Sequence, residues 1–172
     1  MIRQERRWVR VGLVYLAVTF LEVGIWATFA TRSFYENFPG FGRSWVAGDG
    51  PYNAHLASDA GVGFLAVGAV LVLAAVWMER RVMQAALAGA AMHGLGHLLS
   101  HVNNWNEGLG SLDTTLSNGG LLFGVGLAMV LMTVVARSPA RAGQQAPATM
   151  PQPETRPLAS SRPPEVNARN MP

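Results

Sequence analysis

The feature that most constrains this chain is a set of four apolar runs, each close to the length that crosses a bilayer. They are "VGLVYLAVTFLEVGIWATFA" (Val11 to Ala30), "GVGFLAVGAVLVLAAVWM" (Gly61 to Met78), a third from Val82 to His101, and "GGLLFGVGLAMVLMTVVA" (Gly119 to Ala136). A hydrocarbon core about 30 Å thick needs about 20 helical residues. Open strands leave backbone groups unpaired in lipid, so the runs predict helices. The expected fold is all-α: a polytopic membrane protein built as a four-transmembrane-helix bundle, with helices at about 8–31, 52–79, 82–101 and 117–136 and outer loops at 32–51 and 102–116. Half of the residues are apolar and 13% are charged, well under the roughly 25% charge of soluble domains. The lipid bilayer is therefore the first expected partner.

Basic residues set the expected orientation. Arg3, Arg6, Arg7 and Arg10 precede the first run, Arg80 and Arg81 fill the turn between the second and third, and Arg137 and Arg141 follow the fourth. In a four-pass chain all three places lie on one side, and the positive-inside rule makes that side cytoplasmic, with both termini. The net charge of +3 thus reads as membrane orientation, not as a nucleic-acid surface. The first run is longer than a signal-peptide core and is interrupted by Glu22, so it predicts an uncleaved helix.

The first outer loop carries Phe34, Tyr35, Phe38, Phe41, Trp45 and Tyr52. Aromatics at this level suit a loop folded onto the membrane interface. Residues 1–137 form the expected transmembrane domain. From Ser138 the chain turns rich in Pro, Ala, Ser and Arg and lacks core-forming residues. Residues 138–172 therefore read as a disordered cytoplasmic tail. Small residues recur at i, i+4, as in Gly120, Gly124 and Ala128 or Ala85 and Gly89, a spacing that lets helices approach closely in lipid.

The chain has four histidines and no cysteine, which excludes disulfides, thiolate metal sites and cysteine nucleophiles. Three histidines, His93, His97 and His101, fall in the stretch "MHGLGHLLSH" of the third run. A spacing of four returns to nearly the same helical face, so they form one stripe. The fourth, His55, starts the second helix and is followed four residues later by Asp59. Topology puts both groups on the outer side. Glu22 is expected at the depth of His93, and Asp113 lies in the second outer loop near the same end.

Imidazole and carboxylate together suit copper, iron or zinc without a soft sulfur ligand. Helix bundles build such sites from several helices. The expected metal set is His55, Asp59, His93 and His97, with Glu22, His101 and Asp113 as additional ligands or as acceptors orienting them. The site would face the extracytoplasmic side. Haem b is the alternative cofactor, with glycines such as Gly61, Gly63, Gly94 and Gly96 providing room. A polar network joining helices and a proton or ion pathway through Glu22 and the histidines are the competing readings.

The segments "FPGFGRSWV", "GPYNAHLASDAG" and "LDTTLSNGG", with the histidine-rich third helix between the last two, resemble a group of small four-helix integral membrane proteins of high-GC Gram-positive bacteria. That resemblance spans about residues 8–136 and implies a bacterial plasma membrane location. The topology is also similar to that of DoxX-like proteins. This implies association with redox complexes: a redox- or oxygenase-related role, or that of a non-catalytic subunit of a larger oxidoreductase or monooxygenase complex. Other membrane subunits or further copies of the chain are the expected protein partners.

Overall fold

The computed structural model describes residues 3–48, 50–103 and 109–137. The expected tail at 138–172 and the middle of the second outer loop, with Asn104 and Glu107, lie outside the described residues. The chain is mostly helical. Helix α1 is Arg3–Phe29, α2 is Thr31–Asn37, α3 is Ala54–Trp77, α4 is Arg80–Asn103 and α5 is Ser111–Arg137. Two short strands, β1 (Pro39–Gly40) and β2 (Arg43–Ser44), pair antiparallel between α2 and α3.

Three helices, α1, α3 and α5, are long and apolar enough to cross a membrane. Helix α4 is 24 residues long, and its histidines and Gln84 interrupt its apolar run. Large apolar side chains cover the outer surface, among them Val11, Val62, Leu122, Phe123 and Val130. In water such a surface would drive aggregation; it is compatible with contact with lipid.

The helix ends follow local chemistry. The Asn53 side chain caps α3 by accepting from the Leu56 N–H at 3.1 Å, which satisfies one orphan donor of the first turn. Met78 ends α3 in the left-handed conformation, its N–H donating to the Ala74 carbonyl at 2.9 Å. With only Met78 and Glu79 between them, α3 and α4 must run antiparallel. Arg80 then reaches across to α5, Nη2 donating to the Ala136 carbonyl at 2.6 Å, a basic cap on a helix C-terminus. Helix α5 begins at Ser111, six residues before the expected start at 117. Its first turns are polar, and Thr114 and Thr115 hydroxyls donate back to the Gly110 and Ser111 carbonyls, so the apolar run does not mark the true start.

Helix α1 packs chiefly on α3, and α4 on α5. The α1–α3 contact runs through glycines. A Cβ on Gly61 would lie 2.7 Å from the Thr28 backbone nitrogen, and one on Gly68 would lie 2.9 Å from Leu21 Cγ. The apolar core joins Val9, Leu13 and Leu16 of α1 to Leu71 of α3, Met83 and Leu87 of α4 and Leu131 and Val135 of α5. It therefore fills the half of the bundle nearest the arginine-rich end.

The connection between α2 and α3 is more ordered than a plain link. The register Pro39↔Ser44 and Gly40↔Arg43 leaves Phe41 and Gly42 as a two-residue turn, both with positive φ (58° and 72°). Positive φ at both central residues is the type I′ hairpin signature. Phe41 sits at the tip and is 98% exposed.

Candidate histidine wall

The four-residue spacing on α4 produces the expected stripe. The three histidines have different neighbours, however. His93 lies nearest the middle of α4, its ring edge-on to Phe64 of α3 at 4.4 Å and to Phe20 of α1 at 5.3 Å between centroids. Its Nε2 is buried and has no hydrogen-bond partner among the described residues. His97 also meets Phe64, at 5.7 Å. His97 and His101 stack at 4.8 Å with their ring planes 29° apart, and their Nε2 atoms are 3.0 Å apart.

The wall facing this stripe is aromatic. The expected partners on α3, His55 and Asp59, bond each other instead, Nε2 to Oδ2 at 3.3 Å, with side chains 88% and 63% exposed. Helical geometry accounts for this. Phe64 lies nine residues beyond His55 and five beyond Asp59, which are rotations of about 180° and about 140° at 3.6 residues per turn. If Phe64 faces α4, both polar residues turn away. The direction of both side chains around the helix differs from the expected one.

Glu22 follows the same rule. Phe20, not Glu22, points at His93. Two residues turn a helix by about 200°, and Glu22 is exposed on the outside of α1. Asp113 has a different role from the one expected. Its Oδ1 accepts from the Arg43 guanidinium and, at 2.9 Å, from Trp45 Nε1. It thereby docks the connection between α2 and α3 on the start of α5. Charge-assisted bonds of this kind are the stronger ones.

The described residues thus hold the seven candidates in four places: His93, His97 and His101 on one stripe, His55 with Asp59, Glu22 by itself, and Asp113 with Arg43. No group of three or more histidine, aspartate or glutamate side chains assembles in a metal-holding arrangement among the described residues. Two further polar atoms, Thr28 Oγ1 and Asn118 Oδ1, are buried without a hydrogen-bond partner there. Buried polar groups are nearly always satisfied by protein, water or ligand.

Phe20 and Phe64 are the residues that sequence reasoning passed over. Phe64 stands as the one aromatic within "GVGFLAVG", a bulky side chain set among glycines and alanines. Such a side chain fills the space its small neighbours leave. Comparison with protein-family models, curated proteins and solved structures gives no match.

Proposed function

We propose that this chain is an integral membrane metal-binding protein whose ion is held by His97 and His101 of α4, in a redox- or oxygenase-related setting. The observation that carries the reading is the 3.0 Å separation of their Nε2 atoms. Two imidazole nitrogens bound to one ion at about 2.0–2.1 Å lie about 2.9 Å apart at a right angle and about 3.4 Å apart in a tetrahedron. The pair as it stands falls within reach of both. Copper, iron and zinc all accept imidazole nitrogen. A bare ion fits this pair better than haem, because both nitrogens come from adjacent turns of one helix and cannot take opposite axial positions.

In this reading α4 is a fourth membrane crossing. The arginine-rich end, with Arg3, Arg6, Arg7, Arg10, Arg80, Arg81 and Arg137, is cytoplasmic by the positive-inside rule, and both termini lie there. The histidine pair then faces the extracytoplasmic side, with Phe64 as its apolar wall. Among the described residues the apolar core beneath it offers no polar relay to the cytoplasmic end, which weighs against a proton or ion path.

Elemental analysis of detergent-purified protein tests the reading. The expected result is near-stoichiometric copper, iron or zinc, lost in His97→Ala and His101→Ala and kept in His55→Ala. Metal content unchanged by either α4 substitution would overturn it.

A further inference from the structure

The arginines at the two ends of the bundle are not alike. Arg32 and Arg43, between α1 and α3, are each held by a carboxylate, that of Glu36 and that of Asp113. Arg3, Arg6, Arg7 and Arg10 of α1 are exposed, and none of them has a carboxylate partner among the described residues. Arg3 and Arg7 stand one turn apart. With Gln4, Trp8 and Val11 they line a single surface depression.

Towards the membrane centre the same face of α1 turns apolar. Val9 is buried in the core, and Arg7, Val11 and Val18 are turned about 160–180° away from it around the helix. Trp8, Val11, Val14, Tyr15 and Val18 are between 46% and 67% exposed. Read along the axis, the face carries two guanidiniums, then an indole, then aliphatic side chains. From Arg3 to Val18 the helix rises about 22 Å. One leaflet with its headgroups is about 20–22 Å deep. The outer face of α5 is apolar too, yet the only basic residue of that helix is Arg137 in its last turn. Charge, not apolarity, sets the α1 face apart.

We infer that this end of α1 is a binding site for one anionic phospholipid, its phosphate between Arg3 and Arg7 and its chains along Val11, Tyr15 and Val18. Charge complementarity selects the occupant. Cβ atoms one turn apart on a helix are about 5–6 Å from each other, so two guanidiniums reach the oxygens of one phosphate. Each offers a planar pair of donors suited to it. The arginine stems lie along apolar surface while their heads stay in the headgroup layer, and Trp8 takes the boundary position that indoles favour. A zwitterionic lipid brings the same phosphate together with a cation that repels both arginines. The site rests neither on an ion at His97 and His101 nor on which leaflet this end of the bundle meets.

Native mass spectrometry of the detergent-purified full chain tests the site. The protein is titrated with phosphatidylglycerol and with phosphatidylcholine of the same acyl chains. The expected result is a one-to-one adduct with phosphatidylglycerol, tighter than that with phosphatidylcholine by about tenfold or more, as two guanidiniums at a membrane surface supply. The double variant Arg3→Gln/Arg7→Gln should bind both lipids alike. Both side chains are exposed, so the fold should be unaffected. The double variant Arg81→Gln/Arg137→Gln removes the same charge from the same end of the bundle and should keep the preference. Glycerol phosphate has the headgroup chemistry without the chains, and at the lipid's own concentration it should not displace the lipid. Equal affinity for the two lipids, a preference that survives loss of Arg3 and Arg7, an equal loss in the Arg81/Arg137 variant, or displacement by glycerol phosphate would each overturn the inference.

Discussion

The Nε2 atoms of His97 and His101 lie 3.0 Å apart across one turn of α4. That separation has two chemical meanings. Between neutral rings it is a hydrogen bond, one nitrogen donating and the other accepting. Around an ion both nitrogens are unprotonated ligands. The two states exclude each other, so a metal that binds here must displace the shared proton.

The two histidines should accordingly behave as one unit. A lost ligand is expected to cost more than the roughly tenfold to 100-fold typical of an outer partner's loss. His97→Ala and His101→Ala should each weaken copper or zinc binding by more than about 100-fold. The double variant should lose little more, a non-additivity expected of residues in one site. Competitive titration against a chelator of known affinity measures all three; additive losses would mean two independent sites.

Phe64 touches both His93 and His97, so the residue at this position controls what the wall offers an ion. Phe64→His should bring a third imidazole toward the pair and tighten zinc binding by about tenfold or more. Phe64→Ala should instead destabilise the bundle by about 3 kcal/mol, the lower end for a phenylalanine truncation, because the side chain is only partly buried. Zinc titration reads the first, and unfolding in mixed micelles reads the second.

The α1–α3 contact allows a paired comparison. A Cβ on Gly61 would lie 2.7 Å from backbone at Thr28, whereas one on Gly63 meets nothing within 4 Å. Backbone cannot rotate away as a side chain can, so Gly61→Ala should cost about 1–3 kcal/mol through forced helix separation. Gly63→Ala should be neutral or slightly stabilising. Denaturant unfolding of the two variants in the same micelle checks the contrast.

Asp113 is expected to act through the loop it holds. Asp113→Asn removes the ionic half of its contact with Arg43. The Arg43 and Asp113 side chains are 32% and 27% exposed, so solvent screening lowers the value of the pair to about 1 kcal/mol. A double-mutant cycle with Arg43→Ala and Asp113→Ala should return that coupling energy. Trp45, which also donates to Asp113, provides the signal, since its fluorescence should shift to longer wavelength when the loop is released. An unchanged spectrum would argue against the docking role.

The four long helices, the arginine-rich end and the histidine stripe were all legible from residue spacing. Apolar run length predicts a helix, and a period of four predicts a shared face, without reference to any other part of the chain. The attachment of the hairpin at 39–44 to Asp113 was not legible, because it joins residues about 70 positions apart that have no common pattern. Nor was the facing wall. Spacing places a residue at a depth, but each helix remains free to turn about its own axis until it packs. On α3 that turn is set by Gly61 and Gly68, which bring its backbone against α1 at Thr28 and Leu21. With those glycines seated on α1, Phe64 faces α4 and His55 and Asp59 face outward. The tertiary packing thus leaves the histidines of α4 against aromatic rings and sends the expected partners of the site to the surface.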